Sequence, residues 1–157
     1  MIKQGDTLPD INLQQRTKES TQEVSLLALS QQGPVVVFAV PGAFTPTCSA
    51  AHLPGYVALA DKFEAKGAKY IACVSVNDAF VMQAWGEAHN AEHILMLGDG
   101  DAAFTQALGL DMDTKEFGGV RSQRYAMIVE DGKVRALNVE KPKTFEVSKA
   151  EVLLELL

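Results

Sequence analysis

The longest unbroken apolar run is Val35-Val36-Val37-Phe38-Ala39-Val40. A run of β-branched residues with no polar position predicts a strand buried on both faces, hence a parallel sheet flanked by helices. Tyr70 to Val76, YIACVSV, predicts a second such strand, and Ile94 to Leu97 a shorter third. Tyr125 to Glu130 and Lys133 to Val139 predict two strands joined by Asp131-Gly132, a tight hairpin signal. Between them, Ser49 to Lys66 has helical composition and ends at Gly67. Pro54 has no N–H for the carbonyl of Ala50, so a kink is expected there. Asn77 or Asp78 caps a helix from Ala79 to His89 that turns Phe80, Ala84 and Trp85 toward the core. Asp101 to Leu108 predicts a short helix stopped by Gly109. Ser148-Lys149-Ala150-Glu151 predicts a capping box opening a last helix to Leu157. Weaker patterns predict an edge hairpin within Gly5 to Gln15, a helical turn at Val24 to Leu29, and a loop from Leu110 to Gln123.

Strand, helix, strand, helix, strand, hairpin, helix is a βαβ unit followed by an antiparallel pair. The expected class is α/β, a thioredoxin-like fold with a central mixed β-sheet flanked by helices. At 157 residues the chain is expected to form one domain, 1–157. Its composition, 47% hydrophobic and 22% charged, is that of a soluble globular protein. A net charge of −6 without a basic run excludes nucleic acid and anionic membrane as expected partners. No stretch approaches the roughly 20 apolar residues of a membrane span, and the N-terminus lacks a signal-peptide core. A cytoplasmic location is expected. The two cysteines, Cys48 and Cys73, are then free thiols. His52, His89 and His93 are too scattered to suggest a metal site.

The chemistry concentrates in VPGAFTPTCS, Val40 to Ser49. Thr45 as N-cap, Pro46 at N1 and Cys48 at N3 fit the rules for a helix start. A sulfur in a first turn meets backbone N–H groups and the positive end of the helix dipole, and both favour the thiolate. Dithiol exchangers carry C-x-x-C at such a turn. Here Thr45 makes it T-x-x-C, so a hydroxyl replaces the partner sulfur and a single nucleophile remains.

The motif P-x-x-x-T-x-x-C, matched by Pro41, Thr45 and Cys48, resembles the active-site motif of peroxiredoxins. V-P-G-A-F-T-P-T-C-S, H-L-P-G-Y, Ala72 to Gly86 and Arg121 to Glu140 are similar to the peroxiredoxin-5 type, so the resemblance spans nearly the whole chain. It implies a thiol peroxidase acting on hydrogen peroxide and alkyl hydroperoxides without metal, flavin or haem. By resemblance Cys48 is the peroxidatic cysteine and becomes a sulfenic acid. Thr45 orients the peroxide, Pro41 shields the pocket, and Arg124 stabilises charge with a guanidinium that keeps its proton. Backbone near Gly42 and Cys48 helps bind substrate. The family also suggests a homodimer.

Human-like members of this type carry a resolving cysteine where this chain has Val147. That departure favours a one-cysteine cycle regenerated by glutathione and a separate glutaredoxin. The alternatives are a two-cysteine cycle with Cys73 resolving and thioredoxin as reductant, or a non-enzymatic redox sensor or holdase. Cys73, mid-strand, reads first as a buried structural thiol. His52 reads as a packing or hydrogen-bonding group, and Arg121 as a supporting or surface residue. Phe44, Phe80 and Trp85 read as core or subunit interface, and the acidic residues as mostly solvated surface.

Overall fold

The computed structural model describes residues 1–157. Its strands are β1 (Leu13–Arg16), β2 (Thr21–Val24), β3 (Val35–Val40), β4 (Tyr70–Ser75), β5 (Leu95–Gly98), β6 (Asp111–Asp113), β7 (Val120–Ser122), β8 (Tyr125–Glu130) and β9 (Lys133–Val139). Its helices are α1 (Leu26–Ser30), α2 (Leu53–Ala65), α3 (Ala79–Ala88), α4 (Ala103–Ala107) and α5 (Ala150–Leu156). Seven strands form one sheet in the order β2-β1-β5-β4-β3-β8-β9. The centre, β5-β4-β3, is parallel, and β8 closes antiparallel on β3. This is the mixed sheet that the apolar runs predict.

The alternation of β3 divides the core. Val36, Phe38 and Val40 face a cluster with Leu53, Tyr56 and Phe63 of α2, Met82 and Trp85 of α3 and Leu153 of α5. Val35, Val37 and Ala39 face the other way, onto Leu26, Phe104 and Leu108. All six residues of β3 are fully buried, each large one contributing about 1.5–3 kcal/mol by burial. Phe38 stacks on Tyr56 with ring centroids 4.0 Å apart, fixing α2 over the middle of the sheet. Gly67, with φ +102, ends that helix as its composition predicts.

Several expectations are corrected. The N-terminal hairpin lies later than Gly5 to Gln15, as β1 paired with β2. Leu110 to Gln123 is not all loop: β6 pairs with β7 around a one-turn helix at Lys115–Phe117. These strands are too short to show a period. Asp78 caps α3, accepting from the Val81 N–H at 2.9 Å, and that register buries Ala79, Met82, Trp85 and Gly86. Phe80 and Ala84 face solvent instead of the core, and Phe80 lies under the Arg16 guanidinium. The capping box at Ser148 does not form. Lys149 is the N-cap, and the Ser148 hydroxyl donates to Glu140 instead. The break before α2 also falls earlier than Pro54. Cys48–His52 forms a π-turn in which the Leu53 N–H reaches back to the Cys48 carbonyl. Pro54 then sits in the first turn of α2, where its missing N–H costs little.

Candidate active site

β3 ends at Val40, and Pro41 turns the chain out of the sheet. The loop bends at Phe44, held at φ 62. Such a backbone persists in a non-glycine residue only where its surroundings impose it. Two groups do so. The Thr45 hydroxyl donates to the Gly42 carbonyl at 2.6 Å, and the Ala43 N–H donates to Asn77 Oδ1 at 3.0 Å. The Ser75 hydroxyl donates to the same Asn77 oxygen at 2.7 Å and lies 3.1 Å from the Val40 carbonyl, tying the loop to the end of β4.

The helix then starts at Pro46, and the Ser49 N–H donates to the Thr45 carbonyl. Thr45 is therefore the backbone N-cap and Cys48 sits at N3, as the spacing predicts. The Thr45 hydroxyl does not cap the helix; it turns toward Gly42. Immediately after the first turn comes the π-turn Cys48–His52, a geometry that widens a helix locally and recurs at functional sites. Trp85 Nε1 donates to the Ser49 hydroxyl at 3.0 Å, anchoring the turn on α3.

Arg124 arrives from the far side of the chain. Tyr125 of β8 pairs with Ala39 of β3, so the residue before β8 lies beside the end of β3. Arg124 Nη2 donates to Cys48 Sγ at 3.0 Å, and Nη1 donates to His52 Nδ1 at 2.8 Å. His52 Nε2 lies 3.1 Å from the Ser148 carbonyl, to which it donates in the tautomer set by the Arg124 contact. Burial, then the Arg124 charge, push the His52 pKa down to about 3, so the ring is neutral. A neutral ring with Nδ1 free to accept is what a guanidinium partner requires.

Glu140 completes the enclosure. It begins the segment after β9 and is nearly buried. One oxygen accepts from the N–H groups of Glu146, Val147 and Ser148 and from the Ser148 hydroxyl; the other accepts from Thr144. Burial pushes this carboxyl up, but the hydrogen bonds outweigh it, Ser148 first, and hold it below the usual carboxylate range. The loop fixed this way carries Phe145, whose ring lies 5.0 Å from His52 and 5.8 Å from the Arg124 guanidinium. Glu140 is thus an exception among acidic residues expected to be mostly solvated surface, as is buried Asp99, which accepts from the N–H groups of Phe104 and Thr105.

The structure brings Pro41, Gly42, Thr45, Cys48 and Arg124 to one place. Cys73 is in the same apolar cluster as Cys48, mid-strand between Phe38 and Met96. It is fully buried, and burial, then the proximity of Cys48, push its thiol well above the ordinary range. Arg121 supports the fold: it donates to the Gly118 and Val76 carbonyls. Sequence reasoning missed Glu140, Phe145 and Asn77. A cleft of about 490 Å³ opens beside this group, lined by Pro41, Thr47, Arg124, Lys141, Lys143 and Phe145 among others.

The profile of the family described as Redoxin matches residues 3–154. The chain belongs to the redoxin family. Its relatives there are peroxiredoxins. It is 65% identical to reduced Prx3 from Vibrio vulnificus solved in complex with h2o2, over 99% of this chain and 98% of that one, with a TM-score of 0.96. It is 47% identical to Peroxiredoxin-2E-2, chloroplastic, of Oryza sativa subsp. japonica, over 98% of this chain and 71% of that protein. Peroxiredoxin 5 from Alvinella pompejana is 37% identical over 99% of this chain and 97% of that one, with a TM-score of 0.85. The peroxiredoxin, of the peroxiredoxin-5 type, has the thioredoxin-like fold expected of it, and its activity is that of a thiol peroxidase.

Proposed function

We propose that Cys48 is the peroxidatic sulfur and that it is regenerated in a one-cysteine cycle by glutathione and glutaredoxin. The observation that carries the first half is the 3.0 Å contact from Arg124 to Cys48 Sγ at the start of a helix. A guanidinium held there favours an anionic sulfur and, as the O–O bond polarises, the charge on the departing oxygen. Sγ attacks one peroxide oxygen. The S–O bond forms, the O–O bond breaks, and the other oxygen leaves with a proton as water or alcohol. Cys48 is left as a sulfenic acid. The Thr45 hydroxyl, already donating to Gly42, keeps oxygen lone pairs for a peroxide O–H. Pro41 and the Gly42 backbone form the wall of this pocket.

The second half rests on Cys73 and Val147. A disulfide from Cys48 to Cys73 needs a reactive second thiol, and the burial of Cys73 inside β4 opposes that. Position 147 offers no thiol. A glutathione thiolate attacks the sulfenic sulfur, water leaves, and a mixed disulfide forms; glutaredoxin then takes the glutathione and restores the thiol. The π-turn, held by fewer regular hydrogen bonds than α2, is the segment expected to open for this step. The competing cycle has Cys73 resolve and thioredoxin reduce.

The working unit is proposed as one domain acting as a cytoplasmic homodimer. Phe44, Phe80, Phe117 and Val120 are exposed, and their loops are tied together through Asn77–Ala43 and Arg121–Val76 near Cys48. This is the face expected to pair. Intact mass after one equivalent of hydrogen peroxide tests the cycle. A gain of one oxygen, converted by glutathione to an adduct that Cys48→Ser lacks, supports it. A loss of two hydrogens means a Cys48–Cys73 disulfide and overturns it.

A further inference from the structure

The cleft beside Arg124 is positively charged in a chain whose net charge is −6. Lys141 and Lys143 stand on its rim, both exposed. Neither has a carboxylate within salt-bridge distance; the ion pairs of the molecule are Lys3–Asp6, Lys115–Asp113 and Arg135–Glu130. The one acidic residue in the lining, Glu140, has both oxygens engaged by its own loop. It therefore holds the lysines' segment in place, and Arg124, Lys141 and Lys143 against this one carboxylate leave the lining with an excess of positive charge. That segment is shaped: Lys143 has φ 64, and Thr144 returns to the Lys141 carbonyl through its N–H. Phe145, Met112 and Pro142 give the cleft apolar wall between the cations. Thr47, next to Cys48 in the chain, and Arg124, which touches its sulfur, also line the cleft.

We infer that this cleft binds the carboxylate end of a small-molecule thiol and delivers its sulfur to oxidised Cys48. The inference rests on the glutathione reading above and adds the recognition element: charge on Lys141 and Lys143 selects carboxylate-bearing thiols over neutral or cationic ones. The step is balanced as the thiol plus the sulfenic acid giving a mixed disulfide and water. Arg124 keeps its place on the cysteine sulfur, so the lysines supply selection and not chemistry.

The test preforms the sulfenic acid with one equivalent of hydrogen peroxide. Adduct formation is then timed by quenched intact mass with glutathione and with its diethyl ester, at matched thiolate concentration. The wild type is expected to react about fivefold faster with glutathione, a preference of the size two exposed ion pairs produce. Lys141→Gln/Lys143→Gln abolishes the preference. Raising sodium chloride erodes it in the wild type, a reading that does not depend on the variant folding. Equal rates for the two thiols in the wild type at low salt overturn the cleft assignment and leave the glutathione cycle standing. An absent adduct with both thiols overturns the glutathione cycle itself, and the cleft assignment with it. If the double variant instead slows only the peroxide step, with a carboxylated hydroperoxide but not its ester, the cleft belongs to the substrate and the thiol assignment fails.

Discussion

His52→Phe tests whether the histidine holds Arg124 to its task. Phenylalanine keeps the ring among Phe38, Tyr56 and Phe145, so little packing is lost. Two hydrogen bonds go. The Ser148 carbonyl keeps the Tyr56 hydroxyl, which donates to it at 2.8 Å. The Arg124 Nη1 contact of 2.8 Å has no substitute, and a hydrogen bond to a charged group contributes about 1.5–3 kcal/mol. With one anchor missing, the guanidinium swings from the sulfur, and the second-order rate with hydrogen peroxide should fall about 10- to 100-fold. Stopped-flow tryptophan fluorescence reads it, since Trp85 contacts Ser49 of the same turn. His52→Asn, whose carbonyl oxygen can stand in for Nδ1, should recover part of the loss.

The same residue predicts a pH slope. Its folded pKa, about 3, lies below the ordinary value of 6.5 that the unfolded chain keeps. The unfolded chain therefore binds the extra proton first as pH falls. Stability from this site is fully present above pH 6.5 and is lost as pH drops toward 3. One unit of differential binding is about 1.4 kcal/mol, so urea unfolding at pH 5 should be about 2 kcal/mol easier than at pH 7 from this group alone. His52→Phe should flatten that part of the slope. A variant with wild-type peroxide rate and an unchanged slope would refute both the anchoring role and the buried neutral ring.

Arg124→Gln should slow the peroxide step about 100-fold, the scale of losing one preorganised charged donor, in the same stopped-flow assay. Arg124→Lys should do better than Gln yet fall short of wild type, because one ammonium cannot span Sγ and His52 Nδ1 together. Thr45→Val removes the 2.6 Å bond to Gly42 and the peroxide partner. Steady-state peroxidase activity should drop at least tenfold, by the typical scale of one catalytic hydrogen bond, with Thr45→Ser restoring most of it. Glu140→Gln leaves the loop N–H groups a weaker acceptor and should cost about 1–3 kcal/mol by thermal melting. Because the folded Glu140 pKa is depressed, its stabilisation is present above the unfolded carboxylate pKa and lost as pH falls through the folded one. The gap between wild type and Glu140→Gln should therefore close in acid.

What could be read without coordinates was what is local. β3 and β4 announce themselves because every position is buried except half-buried Tyr70, so no phase is needed to recognise them. Cys48 at the start of a helix follows from Thr45-Pro46, a capping signal two residues long. Helix α3 begins at Ala79 behind Asp78, as the capping signal predicts, yet in that register Met82, Trp85 and Gly86 are the inward residues and Phe80 lies outside, a phase that the apolar residues Phe80 and Ala84 obscure. Glu140 looked like any acid on the surface. Its role depends on N–H groups of a loop that folds back on it, and an isolated carboxylate carries no mark of that. The capping box at Ser148 failed for the same reason: the hydroxyl had a better acceptor than the helix.

Arg124 marks the boundary between these two kinds of information. Nothing in its neighbourhood points to Cys48, 76 residues away, and only family resemblance assigned it. The physical connection is strand register. Pairing Ala39 with Tyr125 puts Arg124 where β3 gives way to Pro41. A slip by one residue would turn every β8 side chain to the opposite face. It would carry Arg124 away from the sulfur while exchanging Ala126 and Ile128 with Tyr125, Met127 and Val129 between the two core clusters. That exchange is forbidden by packing, because Ala126 lies opposite Phe38 and the ring needs the space. The apolar alternation of β8 thus does more than fold the sheet: it sets the position of the Arg124 charge beside Cys48. Core substitutions along β8, far from any peroxide, should therefore alter catalysis wherever they loosen that register.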